Sequence, residues 1–277
     1  AVASLIVAAS ASLPIATLLT RGGGAEAKAD AARAVAALAG SGGHSARAHL
    51  VQCGVLPPLV LLLTSTELGS KVAAVRALDA LIAGEAQPEM AKAAGEAGAL
   101  PALVQMLHQP LLSSAAAAPV QTIVLRALER LVREHTAAAF VLRSGVLAVL
   151  SNVLATSTQT SAHAEALNLT ATLSRWSQPD ASMLLLKALG QALVKVLTVP
   201  GVSAEERLTT LVALGNLAAA SQPNALVLIR LDILPTIAGI LNRPIGPDHA
   251  IVAARTLRDL STAVDFSQLS IVAAPVL

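Results

Sequence analysis

The 277-residue sequence has no tyrosine, one tryptophan, two phenylalanines and one cysteine. Aromatics make up 1% of the chain while hydrophobic residues make up 55%, so any core is built from alanine, leucine and valine. Scarcity of Tyr, Phe and Trp removes residues that strands favour. Ala and Leu, by contrast, are the strongest helix formers. The composition predicts an all-α chain. A lone Cys53 excludes a disulfide framework and a cysteine-based metal site, and a reducing compartment is the natural reading. Charge is also scarce: charged residues are 13% and the net charge is +2, a balance that does not by itself imply nucleic acid.

Long uninterrupted apolar helices are missing as well, despite a mean hydropathy of +0.68. Ala1–Thr20 lacks charges, but Pro14 interrupts it and no basic segment precedes it. Ala97–Leu125 contains Pro101, Pro110 and Pro119, together with Gln105, His108, Gln109 and Gln121. Neither is a continuous helix of membrane-spanning length, so no membrane span is expected. Helices buried on several sides account for the hydropathy. Glycine clusters at Gly22–Gly24 and Gly40–Gly43 follow no strand and match no phosphate-binding pattern. The six histidines, at 44, 49, 108, 135, 163 and 249, are scattered. None has a carboxylate three or four residues away, and none sits in a Ser-His-Asp or Cys-His signature. No metal, no cofactor and no catalytic group is therefore expected, and the chain reads as a non-enzyme.

What is present is repetition. The segment GALPALVQML at Gly98–Leu107 has a near-twin, GVLPPLVLLL, at Gly54–Leu63 and a third copy, DILPTIAGIL, at Asp232–Leu241. SLPIATLL begins at Ser12, and GVLAVLSNVL at Gly145 and GQALVKVL at Gly190 keep the beat without the proline. A marker position falls at Leu13, Leu56, Leu100, Leu147, Gly190 and Leu234, in steps of 43, 44, 47, 43 and 44 residues. A second pattern ends in phase at Leu38, Leu81, Leu131, Leu173, Leu217 and Leu260; its copies include RAVAAL, RALDAL, RALERL and RTLRDL. One step of 50 in that series absorbs the insertion at Ser113–Pro119, a secondary contact candidate. A third element precedes each opening motif, as in SARAHLVQC at Ser45–Cys53 and DASMLLLKA at Asp180–Ala188. Each unit thus reads as short helix, middle helix, long helix. Gly54, Gly98 and Gly145 stand where one helix ends, a position suited to a left-handed cap. Pro14, Pro57, Pro101 and Pro235 fall in the first turn of the middle helix, where a missing N–H costs nothing.

A glycine, apolar, leucine, proline, x, leucine turn followed by a long helix ending A-L-x-x-L resembles the armadillo repeat of β-catenin and importin-α. HEAT repeats are the near alternative. The resemblance covers about Ser12 to Ala263. It implies a right-handed α-solenoid of about six three-helix repeats, at roughly 1–40, 44–84, 88–134, 136–176, 179–220 and 223–263, with a partial one at 265–277. A start at Ala1 and a stop in mid-pattern at Leu277 lead us to expect a segment of a longer protein. The resemblance also implies that the third helices line a groove that holds extended peptides or partner helices.

Five residues before each final leucine stand Arg33, Arg76, Arg126, Asn168, Val212 and Arg255; four residues further on stand Ala37, Ala80, Arg130, Thr172, Asn216 and Asp259. Importin-α-like repeats carry tryptophan and asparagine at these two positions, and only Asn216 matches. The resemblance therefore gives no support for recognition of basic import signals. The partner-binding candidates are Arg33, Arg76, Arg126, Arg130, Asn168, Asn216 and Arg255, an arginine-rich row suited to carboxylates. Competing with that reading are local pairs: Arg76 with Asp79, Arg126 with Glu129 and Arg255 with Asp259, each worth about 0.2–0.5 kcal/mol. Trp176 is either a partner anchor or a residue packed on the next repeat, and the second reading is preferred.

The expected partner is a protein, an acidic extended segment or helix, within a large assembly. A helical-repeat nucleic-acid binder is the alternative, disfavoured by so few aromatics and only 19 Lys plus Arg. The expected location is cytoplasmic. High alanine content resembles that of proteins from GC-rich genomes such as those of green algae, where armadillo proteins include axonemal components, so the cilium is the assembly named.

Overall fold

The computed structural model describes residues 12–83, 88–109, 118–132, 135–156, 161–176, 178–243 and 245–263. The insertion residues 113–117 and the partial repeat at 265–277 fall outside them. Sixteen helices and no strand occur among the described residues. The chain divides into two compact units, Ala1–Arg133 and Glu134–Leu277.

The first unit contains three repeats. Helices α1 (Ser12–Arg21) and α2 (Ala25–Ser41) form the first, and α3 (Gly43–Gln52), α4 (Leu56–Leu63) and α5 (Leu68–Leu81) form the second. The third consists of α6 (Pro88–Glu96), α7 (Ala99–Leu107) and α8 (Ala118–Leu131). Gly54 and Gly98 take φ of 77° and 86°, the left-handed conformation that ends one helix so that another can start at an angle. Helices α3 and α4 consequently meet at 82°. The long helices α2, α5 and α8 pack in succession, burying Leu50, Leu59, Leu63, Leu78, Leu81, Leu103, Met106, Leu125 and Leu128 among the three repeats. Ala32, Ala74, Ala77 and Ala127 are also buried. Their small side chains let the long helices approach closely, which explains how a core without aromatics is filled.

The second unit contains α9 (His135–Arg143), α10 (Val146–Thr156) and α11 (Ser161–Trp176), then α12 (Pro179–Thr198) and α13 (Ala204–Ala220). It ends with α14 (Gln222–Arg230), α15 (Ile233–Asn242) and α16 (Pro247–Ala263). Gly145 repeats the left-handed turn at φ 82°, and Asp232 does so at φ 61°. An aspartate tolerates that region better than most side chains do. The short and middle helices meet at 75° in the first repeat of this unit and at 81° in the last.

The middle repeat of this unit differs from the three-helix expectation. Its short and middle helices are one continuous helix, α12, of 20 residues. Ala188 occupies the place of Gly54, Gly98, Gly145 and Asp232, and Gln191 that of Pro57, Pro101 and Pro235. Neither the residue that tolerates positive φ nor the one that lacks an N–H is present, so nothing stops the helix. Gly190 serves packing instead: a Cβ there would lie 2.8 Å from Leu186 Cδ1 and 3.0 Å from Leu231 Cδ1. The fusion also revises the reading of apolar length. By length and composition α12 is long and apolar enough to cross a membrane, with a mean hydropathy of 1.4 over its best 18 residues. In the fold it carries Asp180, Lys187 and Lys195 and buries Leu185, Leu186, Leu189 and Leu193.

Candidate functional site

The candidate residues lie on the long third helices, and the structure divides them sharply. On α2, Arg33 is exposed and pairs with Asp30 one turn back on the same helix. On α5, Arg76 is exposed and makes no hydrogen bond or ion pair among the described residues. The expected Arg76–Asp79 pair does not form. Asp79 is taken by the following repeat: Arg130 on α8 donates from Nη1 to its carboxylate, and to its backbone carbonyl at 2.9 Å. Arg126 Nη1 lies 3.8 Å from the other carboxylate oxygen. Arg126 and Arg130 therefore tie α8 to α5. The sequence could not show this, because the acid and its partners are 47 and 51 residues apart.

Arg33 and Arg76 remain together. They flank an open depression between α2 and α5 whose floor is Leu68, Gly69, Val72 and Ala73. Leu68 is exposed, and nothing lies within 4 Å of the space a Gly69 side chain would take. Two guanidinium groups from successive repeats thus border one apolar surface.

In the second unit the equivalent positions have other roles. Asn168 on α11 and Arg255 on α16 are exposed, with no hydrogen bond or ion pair among the described residues. Asp259 accepts from Arg258 at 2.7 Å and not from Arg255, contrary to the expected i+4 pair. Asn216 donates to Ser174 Oγ at 3.1 Å, linking α13 to α11. A second bond of the same 42-residue spacing runs from Asn224 Nδ2 to Ser182 Oγ at 2.8 Å.

Several polar groups without a local signature turn out to hold the stack. His163, fully buried on α11, donates from Nδ1 to Glu206 Oε1 of α13 at 2.8 Å. Glu206 also closes the capping box of α13, exchanging bonds with Ser203. Burial pushes the Glu206 carboxyl pKa upward, but the bonds from His163 and Ser203 outweigh it, leaving the pKa below its ordinary value. His249 Nε2 bonds the Ala204 carbonyl at 2.8 Å. Arg47 donates to the carbonyls of Ala39 and Ala83, and Arg207 to those of Leu197, Val199 and Val202. These arginines close helix ends and are not part of the exposed row. Cys53 Sγ lies 3.6 Å from His49 Nδ1, one turn back on α3.

Residues 45–78, spanning α3, α4 and most of α5, match the armadillo/beta-catenin-like repeat family. The chain is of the armadillo-repeat type. An engineered protein of known crystal structure matches with a TM-score of 0.76 at 26% identity, over 91% of this chain and 97% of its own. A second engineered protein matches with a TM-score of 0.79 at 28% identity, over 92% of this chain and 59% of its own. A designed armadillo repeat protein in complex with the peptide (KR)4 has the same fold, with a TM-score of 0.75 at 21% identity over 90% of this chain and 98% of its own. No curated protein matches the sequence. The armadillo-repeat fold commonly binds peptides, which supports a protein-binding scaffold.

Proposed function

We propose that this armadillo-type chain is a non-enzymatic interaction scaffold whose first unit holds an acidic extended segment of a partner protein. The observation that carries this reading is the depression in which Arg33 and Arg76 border the apolar floor of Leu68, Val72 and Ala73. Guanidinium groups bind carboxylates bidentately, and the apolar floor between them suits a hydrophobic side chain flanked by acids. The Arg33–Asp30 pair is exposed on both sides and worth about 0.2–0.5 kcal/mol, so a partner carboxylate displaces it at little cost. The designed protein in complex with (KR)4 accompanies a basic peptide; arginines on this face call for the opposite sign.

The chain belongs, on this reading, to a large cytoplasmic assembly, with the ciliary axoneme as the proposed place. Low charge and exposed apolar side chains such as Leu13, Leu18 and Leu61 support a permanent neighbour over a soluble cargo. The binding test is fluorescence anisotropy with labelled peptides in which glutamates alternate with leucine, beside scrambled and lysine-substituted controls. Arg33→Glu with Arg76→Glu is expected to weaken binding about tenfold or more at low salt. Unchanged binding rejects the face. A salt-dependent preference for RNA over the acidic peptide would favour the nucleic-acid reading instead. A tagged chain that stays diffuse in ciliated cells rejects the axonemal placement.

A further inference from the structure

The two aromatic side chains among the described residues lie outside the core. Phe140 on α9 is 44% exposed and Trp176, closing α11, is 37% exposed. Trp176 lines a hollow of about 140 Å3 together with Leu142 and Arg143 of α9 and Asp180 and Leu184 of α12. Leu184 is 52% exposed. The sequence favoured a tryptophan packed on the next repeat; α12 covers only part of it. This hollow lies wholly within the second unit and is distinct from the arginine-bordered depression of the first. Exposed tryptophan beside exposed leucine is the composition of a contact centre, because covering large apolar groups removes the most water.

The rim identifies the occupant. Arg143 and Asp180, from different helices, both border the hollow, and neither makes an ion pair or hydrogen bond among the described residues. A patch with an apolar centre and one charge of each sign on its rim is complementary to itself. A two-fold axis through it sets each cation against the other copy's anion and each apolar centre against its twin. A segment of another protein would need an acid and a base placed in matching order. A second copy supplies both from the same surface, and a net charge of +2 offers little repulsion between copies. We propose that a second copy of this chain docks on the α9–α11–α12 hollow through a two-fold contact. Arg143 then pairs with the partner's Asp180, and Trp176 and Leu184 are covered between the copies.

The test is sedimentation equilibrium on the 277-residue chain over a concentration series into the high micromolar range, read beside intrinsic fluorescence. Trp176 is the chain's sole tryptophan, so its emission reports this site directly. Dimer formation with a blue shift is expected. Arg143→Asp and Asp180→Arg are each expected to weaken dimerisation about tenfold or more, since each places like charges across the axis. An equimolar mixture of these two variants should dimerise again, because every aspartate then meets an arginine; the double variant should regain homodimers for the same reason. Both side chains are exposed, and unchanged circular dichroism will show that folding is intact. A chain that stays monomeric throughout overturns the proposal. So does a dimer that both single variants leave unaffected, or a mixture that fails to recover. A monomer whose tryptophan shifts only on binding another protein also overturns it.

Discussion

In residues 12–132 the third helices α5 and α8 are joined by charge, Asp79 on α5 holding Arg130 and Arg126 of α8, while Ser70 of α5 donates to the Ala25 carbonyl of α2 at 3.3 Å. In residues 135–263 the corresponding joints use other chemistry. They are the Asn216–Ser174 bond, the buried His163–Glu206 contact and the His249 bond to a carbonyl, while the Asn224–Ser182 bond links α14 to α12. The backbone repeat is nearly the same in both. Stacked repeats contact only their neighbours, so each joint can use its own polar link provided the buried groups find partners. The difference appears at the surface. The first unit keeps two exposed arginines around an apolar floor, whereas in the second the same sequence positions carry Asn168, Val212 and Arg255. Its exposed large apolar residues include Trp176 and Leu184, which border one hollow, together with Phe140, Ile245, Ile251 and Leu257.

The largest effect is expected where the second unit departs from the pattern. Proline at position 191 falls inside the continuous helix α12, so Gln191→Pro should cost about 3 kcal/mol or more in urea unfolding. The counterpart Ala148→Pro lies in the first turn of α10, where it removes only the Ala148 N–H bond to the Gly145 carbonyl, and should cost about 1 kcal/mol. Equal losses would mean that α12 is broken like its neighbours. Next, Asp79→Ala leaves two guanidinium groups without their shared acid and should cost about 2 kcal/mol, against about 1 kcal/mol for Asn216→Ala in the second unit. Thermal or urea melts of both variants compare the two kinds of joint directly.

Acid should then weaken the second unit through Glu206. Its pKa is lowered on folding, so the unfolded chain binds more protons in that range. The stabilisation is complete above the ordinary value of 4.5 and is lost as the pH falls from there through the folded value. The stability gap between the parent chain and Glu206→Gln should therefore be widest near neutrality and close as the pH drops below 4.5. A gap independent of pH would contradict the assignment. Smallest of all, Arg33→Ala should change stability by only about 0.2–0.5 kcal/mol, since both groups of its pair are exposed. The same variant should measurably weaken acidic-peptide binding.

Most of the helix order was legible because turn residues mark it locally. Gly54, Gly98 and Gly145 adopt the left-handed conformation that their spacing predicts, and Asp232 shows that the position matters more than glycine itself. The fused helix was legible in principle from Ala188 and Gln191, but alignment to the repeat imposed a break that those residues do not make. The arginine row was only half legible. Local i+3 and i+4 spacing suggested Asp79 as partner for Arg76 and Asp259 for Arg255, but those acids pair with Arg130 and Arg258 instead. His163 gave no signal, because Glu206 is 43 residues away in the next repeat.

Composition and period by themselves determined an all-helical chain of phased repeats. Helix propensity, apolar spacing and turn chemistry act over a few residues, and the sequence displays them directly. Which charges would be consumed was decided only in the tertiary structure. A partner one repeat away is remote along the chain but adjacent in the stack, and a part-buried carboxylate such as Asp79 takes the guanidiniums that reach it. That choice removed Arg126 and Arg130 from the exposed row and left Arg33 and Arg76 beside open apolar surface. It also took packing to leave Trp176 at the surface, because no neighbouring helix covers the whole of it.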